Sequence, residues 1–292
     1  MTSQKDGHRE QAPQRRESGA HSGPAKPARS RLSATVQSPV VEAGEIVRFG
    51  ARVVGSAVRH PRGYWGEVRD QMYEIVKLCW IPLVISTVAF GYGAPGLQGL
   101  NLFSLFGIPE RLGSLFVMAS VREFAPWINA MVVAGVVGTA ITADLGARRI
   151  REEIDATQVL GVDPIRTLIV PRVVALTLMT GLLVLPALAF GVVGGYIAAV
   201  HVGGANPSVF VDNFFVNATT TDMWGTVVKC GLFGLIVGVV CSYKGYRASG
   251  GPIGVGRAVN QGVVIAFVAI WIFNAVYTTI LLGLNPDMQV FR

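Results

Sequence analysis

The sequence predicts an all-α membrane protein of about five transmembrane helices, preceded by an interfacial helix and interrupted by an exposed charged helix. Three observations predict it. Of the 292 residues 51% are hydrophobic and only 15% charged, with a mean hydropathy of +0.48, which is too apolar for a soluble domain of this length. Uncharged runs such as 78–109 and 173–200 exceed the about 20 residues that a helix needs to cross a hydrocarbon core of about 30 Å. The basic residues crowd one set of loops, which is the positive-inside pattern of a multispan protein. The net charge of +7 is therefore read as a topological address, and no nucleic-acid partner is expected.

Residues 1–40 carry Lys5, Arg9, Arg15, Arg16, Lys26, Arg29 and Arg31 among many Gly, Pro, Ser and Gln. No apolar core follows, so the stretch is read as a disordered basic cytoplasmic tail and not a signal peptide. Residues 41–66 are different. Ile46, Phe49, Val53, Val54 and Val58 recur at helical spacing, and Arg48, Arg52 and Arg59 suit lipid headgroups, so an interfacial helix is expected there. His60-Pro61 and Gly63 end it, and Tyr64 and Trp65 suit the headgroup level.

Residues 67–292 form the membrane domain. A first span is expected over 76–97, kinked or broken near its outer end by Pro82, Gly91, Gly93 and Pro95. The second runs over 112–142, the third over 173–200, the fourth over 223–243 and the fifth over 258–283. A polar segment without Lys or Arg, 201–222, joins the third to the fourth. With the N-terminus in the cytoplasm, the inside loops hold Arg148, Arg149, Arg151, Arg166, Arg172, Lys244, Arg247 and Arg257. The outside segments hold Arg111 and Arg292. The asymmetry sets the orientation in the membrane.

Between the second and third spans, residues 143–172 are the only strongly charged island. Ile150, Ile154, Thr157 and Gly161 recur at helical spacing, and Arg148/Glu152, Arg149/Glu153 and Arg151/Asp155 are i,i+4 pairs of opposite charge that support a short exposed helix. Asp163-Pro164 is expected to stop it. Such a connector is either a solvated loop helix or a docking element for a soluble partner. Gly191/Gly195 and Gly234/Gly238 form small-xxx-small pairs that serve intramolecular packing or a dimer seam. Cys79, Cys230 and Cys241 fall in or beside apolar runs, with neither disulfide nor zinc spacing.

No chemistry-bearing motif appears. There is no Gly-Lys dipeptide and hence no phosphate loop of the Walker type, and no HExxH or GxSxG. Residues 250–260 are glycine-rich but lack the Lys-Ser/Thr ending, so a tight turn is expected. The chain is read as no enzyme, with no metal or cofactor of its own. The unusual charges are Arg122, Glu123 and Lys229, because ionisable groups inside a membrane segment are costly unless paired or hydrated. From the outer ends of their spans Glu123 lies about 16 Å deep and Lys229 about 10 Å. An ion pair between spans two and four is therefore expected, leaving Arg122 for an anionic group. The same charges would serve equally as a buried pair that fixes packing.

The segments REFAPWINAMVVAGVVGTAITADLGARR (122–149), REEIDATQVLGVDPIRTLIVPRV (151–173) and SYKGYRASGGPIGVGRAVNQGVV (242–264) resemble the MlaE/YrbE permease family, most of all the actinobacterial YrbE proteins associated with Mce systems. The resemblance covers roughly 45–285. It implies an ABC-type lipid transporter, importing lipid, in which two permease chains, identical or paralogous, form the central dimer. A cytoplasmic ABC ATPase dimer carries the ATP and Mg, and MCE-domain proteins outside form a conduit. By the same resemblance 147–160 is the coupling helix, with Arg148, Arg149, Arg151, Glu152, Glu153, Asp155 and Leu160 facing the ATPase. Arg122, Glu123 and Lys229 match positions at the lipid cavity or its polar rim. The long basic tail over 1–40 is a departure, since the core family does not require it. A proton-coupled secondary transporter and a structural membrane anchor are the rival readings.

Overall fold

The computed structural model describes residues 28–59 and 63–285, without the side chains of 28–39 and of Glu110. The tail over 1–27 and the terminal Arg292 lie outside the described residues. Two units divide the chain, Met1–Gly44 and Glu45–Arg292. The first contributes the start of helix α1 (Ala28–Arg59); residues 28–40, read from the sequence as tail, belong to that helix.

The larger unit is a bundle of five long apolar helices: α2 (Trp65–Leu105), α3 (Leu112–Ile150), α5 (Ile165–Val202), α7 (Thr220–Tyr246) and α8 (Gly251–Leu284). Two short helices join them, α4 (Glu153–Val159) between α3 and α5 and α6 (Pro207–Asn217) between α5 and α7. Every expected span falls inside one of the long helices, and among the described residues there is no strand. Trp65, assigned to the interfacial segment, is the first residue of α2. There it stacks on Tyr64 at 5.7 Å.

Polar side chains cap the starts of α6 and α7. At α7, Thr219 and Asp222 form a capping box. At α6, the Asn206 side chain accepts from the Ser208 N–H and Pro207 stands in the first turn. The expected break in the first span is a wide π turn, Tyr92–Gln98, around Pro95. Proline cannot donate to the carbonyl four residues earlier, so the turn widens without ending the helix.

Glycines let α5 sit between two neighbours. A Cβ on Gly91 would overlap the Gly191 carbonyl, and one on Gly194 would overlap that of Val88, so α2 and α5 meet backbone to backbone. On the other side of α5, a Cβ on Gly234 would overlap the Leu176 carbonyl, and one on Gly238 would lie 3.2 Å from the Val173 Cα. A Cβ on Gly195 would enter the Phe116 ring of α3. Both small-residue pairs therefore serve packing within the chain. Helix α8 is different, since only 17% of its apolar window is buried against 67% for α7. Its free face is left for lipid or another chain.

Helix α1 meets the bundle through Ile46, Phe49 and Val53, which are buried, whereas Val54 and Val58 are 41% and 75% exposed. The five apolar residues expected on one side thus split into two stripes. Phe49 packs edge-on to Tyr243 at 5.6 Å, and a Cβ on Gly50 would touch Val239 at 3.0 Å. This part of α1 is seated on protein as well as exposed beside it.

Candidate functional site

The polar cluster inside the bundle starts from the local chemistry of α3. Residues Val117–Phe124 form a π turn. The Ala125 N–H bonds the Ser120 carbonyl and so leaves the Val121 carbonyl free. Pro126 stands four residues after Arg122 and has no N–H to give it. Two helix carbonyls deep in an apolar bundle therefore need outside donors. The Thr226 hydroxyl of α7 donates to Val121 O at 3.0 Å, and the Lys229 ammonium donates to Arg122 O at 2.8 Å.

Lys229, whose side chain is 3% exposed, also donates to Glu123 Oε1 at 3.3 Å and to Thr278 Oγ1 at 2.8 Å. That uses all three of its protons. The Thr278 hydroxyl donates in turn to Glu123 Oε1 at 2.8 Å, and Asn274 Nδ2 donates to Glu123 Oε2 at 2.7 Å. One carboxylate thus gathers α3, α7 and α8. The ion pair expected between spans two and four is present.

Arg122 is not left free. Its Nε donates to Asp222 Oδ1 at 2.7 Å, and the Asp222 side chain is fully buried. Asp222 Oδ2 accepts in turn from the Thr219 N–H at 2.9 Å and hydroxyl at 2.8 Å. A carboxylate that caps its own helix and closes on a guanidinium satisfies both charges. The expectation of Arg122 waiting for an anionic group is corrected accordingly. Between the two ion pairs, Arg122, Asp222, Lys229 and Thr278 enclose a void of about 10 Å3, enough for one water at most.

Asp222, Asn274 and Thr278 are the residues that sequence reasoning missed. Signals existed for them: Thr219-x-x-Asp222 is a capping box, and Asn274 and Thr278 share a face in an otherwise apolar span.

Next to this cluster lies an apolar groove of about 550 Å3, bounded by Val121, Leu188, Val192, Phe214, Phe215 and Met223 with Thr219 and Thr220 at its polar end. Its volume is within the about 300–1000 Å3 of small-molecule pockets. Arg122, Glu123 and Lys229 do not line it. Thr219 touches both features, since it also holds Asp222.

At the basic end of the bundle, the charged island is not one helix over 147–160. Helix α3 runs to Ile150, and Glu152 takes φ 60°, a left-handed conformation, before α4 begins. The turn re-registers the charges. Arg148 pairs with Asp144 at 3.1 Å and Glu153 at 3.8 Å. Arg151 pairs with Glu153 at 2.9 Å, and Arg149 with Asp155. None of the three expected i,i+4 pairs forms, because the residues they join lie on opposite sides of the break.

Helix α4 ends at Gly161, φ 78°, where the Gly161 N–H bonds Gln158 O and the Val162 N–H bonds Thr157 O, a Schellman ending. Asp163-Pro164 therefore does not stop α4. Asp163 Oδ1 instead accepts the Ile165 N–H at the start of α5. Ile154 is fully buried, but Val159 and Leu160 are 87% and 80% exposed, so α4 buries one side chain and presents two apolar ones outward. Asp144 also receives Arg172 at 2.6 Å, tying the end of α3 to the start of α5 beneath α4.

A second cluster at that end joins α1 to α7. Glu45 accepts from the Tyr243 hydroxyl at 2.6 Å and from Arg247. The Tyr243 hydrogen bond, and then the Arg247 charge, hold the Glu45 carboxyl below its ordinary pKa against an opposing desolvation.

Comparison with known proteins places these features in a wider group. The family described as Permease MlaE matches residues 68–280. A probable ABC transporter permease protein from Rickettsia bellii is 31% identical over 80% of this chain and 90% of its own length. One from Synechocystis sp. is 34% identical over 61% of this chain and 68% of its own. The chloroplastic protein TRIGALACTOSYLDIACYLGLYCEROL 1 of Arabidopsis thaliana is 31% identical over 63% of this chain and 52% of its own.

Proposed function

The chain belongs to the MlaE permease family, and from that premise we propose that it is the membrane-spanning subunit of an ATP-driven lipid importer of the Mce type. Its N-terminus lies in the cytoplasm and its basic end faces a cytoplasmic ABC ATPase dimer, which binds ATP and Mg. A second permease chain, identical or paralogous, covers the free face of α8, and MCE-domain proteins receive or deliver lipid at the opposite end.

The observation that carries this reading is α4. A short helix that buries one side chain and holds Val159 and Leu160 out at 87% and 80% exposure is built to fill a pocket on another protein. Closure of the ATPase pair pushes on α4, and Glu152 and Gly161 mark the two points where its backbone turns. The push reaches the membrane through α3, whose outer half carries the Arg122 and Glu123 ion pairs. Separation of the Glu123–Lys229 pair would release Lys229 toward an anionic headgroup, with the lipid chains against apolar walls. A hydrophobic wall discriminates poorly among phospholipid, fatty acid and sterol, so the lipid is identified by isolation.

The test is mass spectrometry of the complex released gently from its native membrane. An ATPase, a permease partner and MCE proteins with retained lipid are expected. A chain that keeps no ATPase after mild cross-linking would refute the assignment. Leu160→Asp in the same experiment should remove the ATPase while leaving the spans folded.

A further inference from the structure

Between Glu45 and Arg59, helix α1 has three faces. At about 100° per residue, Ile46, Phe49 and Val53 share one direction, Arg48, Arg52 and Arg59 a second, and Val47, Val54 and Val58 a third, each about 120° from the next. The first face is buried against the bundle. The three arginines are exposed, and the third face is exposed too, with Val47 at 70% and Val58 at 75%. The acidic residue of this stretch, Glu45, is already engaged by Tyr243 and Arg247. What remains outward is a cationic stripe beside an apolar stripe. That is the chemistry of a helix dipped into a bilayer surface carrying anionic headgroups.

The buried face connects this surface to α4. Phe49 packs on Tyr246 with ring centroids 6.1 Å apart. The Tyr246 hydroxyl accepts from Gln158 Nε2 of α4 at 2.9 Å. Alongside, Glu45 holds Tyr243 and Arg247, and the Arg247 guanidinium lies 5.3 Å from the Tyr243 ring centre. The inner end of α7 thus stands between α1 and α4 and touches both.

We propose that the arginine face of α1 binds anionic lipid of the adjacent leaflet, and that its seating is passed through Phe49 and Tyr246 to Gln158, setting the position of α4. The consequence for transport rests on α4 being the ATPase-docking element; the lipid reading of α1 does not. Anionic lipid then acts as a regulator bound at the inner surface, separate from any lipid that is moved.

Hydrogen exchange on the full chain in nanodiscs tests it, with phosphatidylcholine alone or mixed with phosphatidylglycerol. Phosphatidylglycerol should slow exchange in 45–59 and also in 153–160, the latter by about 2- to 10-fold, the range one hydrogen bond supplies. Replacing Arg48, Arg52 and Arg59 by Gln should abolish both responses. Tyr246→Phe should keep the response of α1 and lose that of α4. Exchange in 153–160 that ignores the lipid, or a triple variant that responds like the parent, would overturn the proposal. Neither readout needs the ATPase, so absence of an ATPase partner would strike the permease reading alone.

Discussion

Replacing Lys229 by Met probes the intramembrane cluster most directly. The methionine fills similar volume but removes three donated bonds, to Arg122 O, Glu123 Oε1 and Thr278 Oγ1. Glu123 keeps Thr278 and Asn274 as donors, so its loss is partial. Arg122 O gets no replacement from Pro126, which cannot donate. An unsatisfied buried carbonyl costs about 1–3 kcal/mol, and removal of one partner of a buried pair about 3–5 kcal/mol. The two donors that Glu123 retains put the total near the lower end, about 3 kcal/mol. At about 2–4 °C per kcal/mol for a protein of this size, the thermal midpoint should fall by about 6–12 °C. Glu123→Gln should cost a similar amount, since it leaves the Lys229 charge buried. Polar pairs between membrane helices couple by about 0.6 kcal/mol on average and about 1.7 at most, and a hydrogen-bonded ion pair belongs at the upper end. The double variant should therefore fall short of the sum of the singles by about 1–2 kcal/mol. Thermal unfolding of the four purified proteins in one lipid or detergent reads this coupling. Additivity to within about 0.5 kcal/mol would mean that the two residues do not share a site, and the cluster argument would fail.

Three further outcomes follow from single contacts. Gly194→Ala should lower the thermal midpoint by the equivalent of about 1–3 kcal/mol, because its methyl meets the Val88 backbone. Gly135→Ala, with open space around it, should change little, and equal losses for the two would refute the close-packing account of α2 and α5. Glu152→Gly should raise stability by a few tenths to about 1 kcal/mol by relieving the left-handed backbone while keeping ATPase co-purification; a loss of stability would show that the Glu152 side chain, not its backbone, matters. Acid should loosen α1. The folded Glu45 pKa is depressed below its ordinary unfolded value, so its contribution is fully present above that value and lost as pH falls through the lower folded one. The groups facing it are Tyr243, Arg247 and Arg48. Hydrogen exchange of 45–59 should accelerate as pH falls below the ordinary carboxylate range, and Glu45→Gln should remove that step.

What the sequence by itself determined is whatever depends on hydropathy and spacing along the chain. The five spans are legible because a helix must be apolar over its full crossing, and their number follows from counting uncharged runs. The Glu123–Lys229 pair was legible because two lone charges at similar depth have few alternatives to each other. The small-residue pairs were legible as packing sites, although only the folded chain shows that Gly191 and Gly195 face α2 and α3 while Gly234 and Gly238 face α5.

Tertiary structure alone decided the partner of Arg122. Asp222 read as a span boundary, and only the approach of α3 to α7 turns that cap into a counter-charge. The charged island shows the same limit. A helical wheel pairs residues four apart, but one left-handed residue at Glu152 re-registered every pair beyond it. The faces of α1 were likewise invisible, since five apolar residues at helical spacing do not say which of them a neighbour will cover. Periodicity is a property of one helix. Which face is buried, and which charge answers which, is a property of the angle and distance between two.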